Sequence, residues 1–273
     1  MINLGALFKT LPPALWAELI ILAIGGLIAA GRLIHNHPFS NGGETMLPVS
    51  EDRPATLAIP PIAAAAPAHV ETATFGLGCF WGPDSQFGSI PGVVRTRVGY
   101  AGGSAADPTY HNLGDHTETV QIDFDPARVT YEELLEVFWK SHSPTSRPWS
   151  RQYRSVILYH TEEQRRLAQA SLAREEERRG VRLWTAIEPA GAFYMAEDYH
   201  QKYALRSQPA LLREYQAIYP ALRNFVDSTA VARVNGYVGG HGTPAGLETE
   251  LDSLGLSPAG RQVLQRIVAR RLE

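Results

Sequence analysis

From residue 71 onward, apolar and polar positions fall into short periodic stretches. Period-two alternation predicts strands over 71–78 (ETATFGLG), 93–100 (VVRTRVGY), 117–124 (TETVQIDF), 153–160 (YRSVILYH) and 183–189 (LWTAIEP). Between them, Pro83 marks an early helical position with Asp84 in the same turn, and Pro91-Gly92 ends that helix near residue 89. Thr130 with Glu133 three residues on reads as a capping box, and Leu134, Leu135, Val137 and Phe138 make the apolar face of the helix it opens. A long polar helix over 161–179 stops at Gly180, and its charge run from Arg174 to Arg179 is a solvated face. From about residue 198 the pattern is helical to the end. Ser257-Pro258 starts one such helix, with Leu264, Ile267, Val268 and Leu272 on one side. Strands and helices without regular βα alternation predict an α+β domain.

The chain before residue 71 has a different texture. Residues 36–70 are rich in Pro, Ala, Gly and Ser without a period and read as a linker. Residues 11–34 are apolar apart from Glu18 and Arg32, close to the ~20 residues that span a bilayer. Three readings stay open: a membrane anchor, a cleaved signal with Lys9 as its thin basic end, and an extension without a membrane role for which Met46 is an alternative start. The expected organisation is an apolar N-terminal segment (1–35), the linker (36–70), a catalytic domain (71–205) and a helical C-terminal extension (206–273).

Composition narrows the function. The chain has 273 residues, 25 basic against 28 acidic for a net charge of −3, and 44% hydrophobic residues. That balance fits a folded protein without a basic field for nucleic acid. The single cysteine, Cys79, excludes an internal disulfide and a multi-thiolate zinc site. His111, His116, His142, His160 and His200 show no compelling metal-ligand spacing, so no metal site is expected.

A lone cysteine is more often a small buried hydrophobe than a reagent. Cys79, however, lies between a predicted strand and a predicted helix in the run Gly78-Cys79-Phe80-Trp81-Gly82. The free N–H groups at a helix start would lower a thiol pKa, and two following aromatics can wall an apolar pocket.

The run GCFWG resembles the active-site motif of the peptide methionine sulfoxide reductase A family. Further blocks follow in order: Gly99-Tyr100-Ala101-Gly102-Gly103, Pro108-Thr109-Tyr110, His116-Thr117-Glu118, Phe138-Trp139, Gln152-Tyr153-Arg154-Ser155, and Ala196-Glu197-Asp198-Tyr199-His200-Gln201-Lys202-Tyr203. The resemblance implies a mixed-sheet, two-layer α/β sandwich. It implies that Cys79 attacks the sulfur of a methionine S-sulfoxide, free or in an oxidised protein, and becomes a sulfenic acid. Glu118 would protonate the sulfoxide oxygen, Tyr110 and Tyr153 would hydrogen-bond it, and Phe80 and Trp81 would hold the S-methyl group. No bound cofactor is implied. These residue types suit the chemistry: a sulfoxide needs a proton before it is a good electrophile, and a carboxyl in a dry site can keep one. Read from pattern alone, Glu118 faces solvent, and Phe80, Trp81, Tyr110 and Tyr153 are packing residues.

The chain also departs from the family. Many members place a resolving cysteine in a GYCG run near the C-terminus; here Asn235-Gly236-Tyr237-Val238-Gly239 is the counterpart, with Val238 at that point. Many have an Asp-x-Gly-Thr run before Gln-Tyr, where this chain reads Pro148-Trp149-Ser150-Arg151 and lacks the acidic residue. The pattern resembles the subgroup that includes insect members. With no second cysteine, an external thiol must reduce the sulfenic acid, either thioredoxin or glutathione with glutaredoxin. The expected enzyme is a monomer serving protein repair under oxidative stress. Its catalytic domain suits the reducing cytoplasm, with membrane anchoring through 11–34 or export as the other readings. The alternative in a different class is a sulfoxide-binding or redox-sensing protein on the same scaffold that does not turn over.

Overall fold

The alternating stretches build one sheet. The strands are β1 (Glu71–Leu77), β2 (Val93–Ala101), β3 (Thr117–Phe124), β4 (Ser155–Tyr159), β5 (Thr185–Pro189) and a short β6 (Tyr194–Met195), in the order β5-β4-β1-β3-β2-β6. Every pairing is antiparallel except β4 with β5, so the sheet is mixed. The computed structural model describes residues 58–270. The apolar 11–34 stretch, most of the Pro-rich stretch and Leu272 lie outside the described residues. Among the described residues no helix is long and apolar enough to cross a membrane.

One face of the sheet carries the main core. Ala73, Phe75, Val120, Ile122, Phe124 and Ile157 point to it and are fully buried. Helix α3 (Tyr131–Lys140) covers this face with Leu134, Leu135 and Phe138, and helix α4 (Glu162–Arg179) adds Ala168. The expected capping box is present: Thr130 Oγ1 accepts from the Glu133 N–H at 3.2 Å, and the Glu133 carboxylate accepts from the Thr130 N–H at 2.7 Å. Gly180 ends α4 in the left-handed region at φ 67°, a conformation that costs glycine little. Sheet and helices form the two-layer α+β arrangement expected from the sequence.

Helix α2 (Trp81–Gly88) follows β1 directly. It starts two residues before Pro83, earlier than the proline position suggested, because Phe80 already occupies the cap without a side-chain acceptor. The C-terminal part is helical as expected: α5 (Tyr203–Arg206), α6 (Pro209–Ile218), α7 (Leu222–Val226), α8 (Thr229–Gly239), α9 (Pro244–Glu250) and α10 (Pro258–Ala269), around a core of Leu211, Tyr215, Val234, Leu254 and Leu264. Ser257 caps α10 ahead of Pro258. Within the Pro-rich stretch, α1 (Pro61–Ala64) forms a single turn, with proline at its first position, and Ile62 packs on the C-terminal core.

Helix α8 is buried along nearly its whole length against α2. The two backbones approach so closely that a Cβ on Gly236 would stand 2.6 Å from the Ser89 Cβ, and one on Gly88 would stand 2.6 Å from the Ala232 carbonyl oxygen. Beneath this crossing lies a fully buried ion pair. Lys202 Nζ donates to Asp84 Oδ1 at 2.8 Å and to the Thr96 carbonyl, while the Lys202 N–H donates to Asp84 Oδ2 at 3.0 Å. Asn235 of α8 donates to the same carboxylate at 3.3 Å and accepts from the Leu205 N–H.

Two stability outcomes follow. Asp84→Ala leaves a buried ammonium without its counter-ion and lowers the unfolding free energy by about 3–5 kcal/mol in urea titrations of the full chain; a loss below about 1 kcal/mol would contradict the role given to the pair. Gly236→Ala forces the α2–α8 crossing apart and lowers it by about 1–3 kcal/mol, whereas an unchanged midpoint would show that the crossing has room to spare.

Candidate active site

The end of β1 and the start of α2 set Cys79 at the mouth of a recess. Gly78 turns the chain at φ 97°, and the next residue is Cys79. The cysteine is exposed at the opening. Protein around the rest of the side chain still withdraws the sulfur from bulk water. This desolvation pushes the thiol up to about 11; the Trp81 N–H, bonded to the sulfur, opposes the shift, and the Glu118 charge adds to it. The sequence argument from helix N–H groups expected a lowered pKa. The Trp81 N–H does act in that direction, but desolvation outweighs it, so the resting group is a thiol.

Glu118 does not face solvent. It sits on β3 at 1% exposure, directly across from Tyr100 on β2. Burial raises its pKa, against three donors that favour the carboxylate: Gln152 Nε2 at 2.8 Å, the Phe80 N–H at 3.2 Å and the Tyr153 hydroxyl. The Phe80 contact fixes the carboxyl beside the cysteine loop. The Glu118 N–H donates to the Gln152 carbonyl at 2.9 Å, which locks the 143–154 loop against β3.

The two phenols named from the sequence meet in the structure. Tyr110 and Tyr153 share a side-chain hydrogen bond. Burial raises the Tyr153 pKa, reinforced by the Glu118 charge, so this phenol stays protonated across the working range. Phe80 is buried, and Trp81 is half-buried beside it.

His200 lies at the centre of the aromatic wall. Its ring is 5.1 Å from Phe80, 4.7 Å from Tyr110 and 4.1 Å from Tyr199. The Trp81 indole N–H donates to His200 Nδ1 at 3.1 Å. An indole nitrogen can only donate, so Nδ1 is the bare nitrogen and Nε2 carries the hydrogen. Burial lowers the His200 pKa to about 4, which keeps the imidazole neutral. Tyr203 stacks flat on Trp81 at 3.8 Å and 3°.

The structure therefore brings together all six residues singled out in the sequence: Cys79, Phe80, Trp81, Tyr110, Glu118 and Tyr153. Sequence reasoning did not assign several supports. Gln152 holds Glu118. Glu197 accepts from the Tyr100 hydroxyl at 2.7 Å and the Tyr110 N–H at 3.0 Å, which anchors the loop carrying Tyr110. Gln201 bonds both backbone groups of Val98 like an added strand residue. Each falls inside a matched sequence block, but nothing in its local pattern showed which partner it would meet.

Position 238 stands in the last turn of α8, and Val238 is buried. The Asn235–Gly239 stretch is therefore packed helix in this chain, with Gly239 against Ser85 of α2.

Comparison with known proteins gives this arrangement its context. The family model described as peptide methionine sulfoxide reductase matches residues 71–234, and that described as the helical domain of selenoprotein methionine sulfoxide reductase A matches residues 224–268. The chain is 45% identical to the peptide methionine sulfoxide reductase of Drosophila melanogaster over 70% of its own length and 77% of the relative's. It is 52% identical to the enzyme of Methanothermobacter thermautotrophicus over 49% and 85% of the two chains. Among solved structures, methionine sulfoxide reductase A of Corynebacterium diphtheriae shares 30% identity at a TM-score of 0.46, covering 66% of this chain and 92% of that one. With the first family model spanning more than half of its length, the chain belongs to the peptide methionine sulfoxide reductase family, oxidoreductases that return oxidised methionine to methionine.

Proposed function

We propose that Cys79 is the nucleophile and Glu118 the acid of a reaction that moves one oxygen from methionine sulfoxide to the Cys79 sulfur. The observation that carries this reading is the buried Glu118 carboxyl, raised in pKa and hydrogen-bonded by the residue next to the only cysteine. The neutral acid donates its proton to the sulfoxide oxygen as the Cys79 sulfur attacks the sulfoxide sulfur. The resulting carboxylate takes the proton that the thiol releases. The sulfur–sulfur adduct formed by this attack then collapses: the hydroxyl passes from the substrate sulfur to the Cys79 sulfur, the substrate sulfur–oxygen bond and the sulfur–sulfur bond both break, methionine leaves, and Cys79 is left as a sulfenic acid. One thiol and one sulfoxide become one sulfenic acid and one thioether, so atoms and electrons balance.

Tyr110 and Tyr153 stand where their hydroxyls can hold the oxygen as negative charge gathers on it. Phe80 and Trp81 form the apolar wall for the substrate methyl group. A pocket that seats the methyl on one side and the oxygen on the other distinguishes the two sulfoxide epimers, and the S epimer is the proposed substrate. The catalytic groups fall within residues 71–205, and the helices of residues 206–270 pack behind them.

The second half of the cycle has no internal thiol. An external thiol attacks the sulfenic sulfur, releases water and forms a mixed disulfide, and a second thiol frees Cys79. A thioredoxin or a glutathione–glutaredoxin pair fits this need, as supplied in a reducing compartment such as the cytoplasm.

Multiple turnover with dithiothreitol on separated S and R epimers of N-acetyl methionine sulfoxide tests the reading. The wild-type chain reduces the S epimer, and Cys79→Ser reduces neither; activity retained in Cys79→Ser would reject the nucleophile. Glu118→Gln lowers the single-turnover rate about 100-fold or more with little change in substrate affinity, in line with the usual size of general acid catalysis. An unchanged rate would reject the acid role. Because the raised pKa of Glu118 keeps its proton to higher pH than an ordinary glutamate, the wild-type rate holds below that pKa and falls as pH rises through it. A rate that rises through the same range would reverse the assignment.

A further inference from the structure

The aromatic wall extends further than a methionine side chain requires. It forms a continuous arc of rings: Tyr203 on Trp81 at 3.8 Å, Trp81 against His200 at 5.8 Å, His200 against Tyr110 at 4.7 Å, Tyr110 hydrogen-bonded to Tyr153, and Tyr153 against Trp149 at 5.1 Å. The middle of the arc surrounds the reacting groups. Its two ends open to solvent, with Tyr203 41% and Trp149 81% exposed. The arc is longer than the reach of one side chain and comparable to a few residues of extended peptide, at ~3.3 Å each.

Trp149 is the less expected end. Its near neighbours in the loop are Ser146, Arg147, Pro148 and Ser150, none of them a large apolar side chain. It is also pinned. Arg151 Nε donates to the Asp115 carbonyl at 2.5 Å, its Nη2 donates to the Gly102 carbonyl at 3.0 Å, and the Arg151 carbonyl accepts from Thr117 Oγ1 at 3.0 Å. The indole is therefore held over Tyr153 on a fixed loop. Single exposed apolar residues are ordinary on a protein surface. This one continues the wall of the reaction site, and a large, rigid ring at such an edge binds a partner with little loss of conformational entropy.

Building on the proposed roles of Cys79, Glu118 and Tyr153, we propose that Trp149 forms a subsite for an apolar side chain adjacent to methionine sulfoxide in a peptide substrate. The sulfoxide side chain occupies the centre of the arc, and the neighbouring residue lies against the exposed indole face. Trp149 thus sets which oxidised methionines in proteins are preferred, while the chemistry stays with the groups deeper in the recess. An uncharged polar neighbour of the same size loses that contact and must leave its own polar group poorly hydrated.

The test compares kcat/KM of the full chain on two S-sulfoxide peptides, identical except for Leu or Asn beside the sulfoxide, and on N-acetyl methionine S-sulfoxide. The wild-type chain favours the Leu peptide over the Asn peptide by about three- to tenfold, the size expected of one aromatic contact. Trp149→Ala brings the two peptides within about twofold of each other, and Trp149→Phe restores most of the preference. A general weakening of the loop would slow all three substrates alike and leave the ratio in place, which overturns the subsite. Equal rates on the two peptides in the wild-type chain overturn it as well. If the wild-type chain reduces none of the three, the reading of the reaction site itself fails and the subsite with it.

Discussion

The buried pair of Asp84 and Lys202 ties together the segments that wall the site. Asp84 comes from the helix that follows Cys79, Lys202 from the segment that carries His200 and Tyr203, and Asn235 from the helix that backs both. Charges at 0% exposure are expensive unless every oxygen and proton is used, and here the carboxylate takes Lys202, Thr96 and Asn235 together. Lys202 adopts φ 55°, in the left-handed region that non-glycine residues rarely visit. The ion pair and the carbonyl of Thr96 hold it there. That turn in the backbone presents His200 and Tyr203 to Trp81. The apolar wall of the recess is thus a consequence of a polar knot underneath it.

The electrostatics of the site follow from burial more than from charge. Desolvation raises the Cys79 thiol and the Glu118 carboxyl together, and lowers the His200 imidazole to about 4. All three groups rest closer to neutrality than their ordinary values imply. A neutral acid beside a neutral thiol suits a substrate that is itself uncharged and must receive a proton as it is attacked. A resting thiolate next to an ionised carboxylate would have neither the proton to give nor a comfortable charge distribution. The upward shift of Glu118 favours a proton held on the carboxyl before the substrate arrives, as the proposed reaction requires.

Much of this was legible along the chain, and particular residues show where legibility ended. The strand alternation, the Thr130–Glu133 cap and the Gly180 stop are local signals and correspond to local structure. Cys79, Glu118, Tyr110 and Tyr153 could be named because their blocks occur in a recognisable order, although alternation by itself assigns Glu118 to solvent. Glu118 is buried because the Gln152 loop and the Phe80 turn close over it, and both contacts join residues far apart in sequence. The Asp84–Lys202 pair was illegible for the same reason. An aspartate in a first helical turn reads as a solvated dipole partner until a distant lysine is folded beneath it. The direction of the Cys79 shift was misread because the helix N–H is visible in sequence, whereas the surrounding desolvation is a property of the assembled recess.

The C-terminal helices contribute packing. In a chain with one cysteine, the GYVG run has no redox step to perform, and it is fixed as the end of a buried helix against the helix that follows Cys79. The cycle must then stop halfway whenever no outside thiol is present. Mass spectrometry of the full chain after exposure to excess methionine S-sulfoxide without reductant measures this directly. If Cys79 is the nucleophile, one methionine is released per chain and one oxygen is gained at Cys79. Methionine released with the Cys79 thiol unchanged, or release continuing far beyond one per chain, would contradict it.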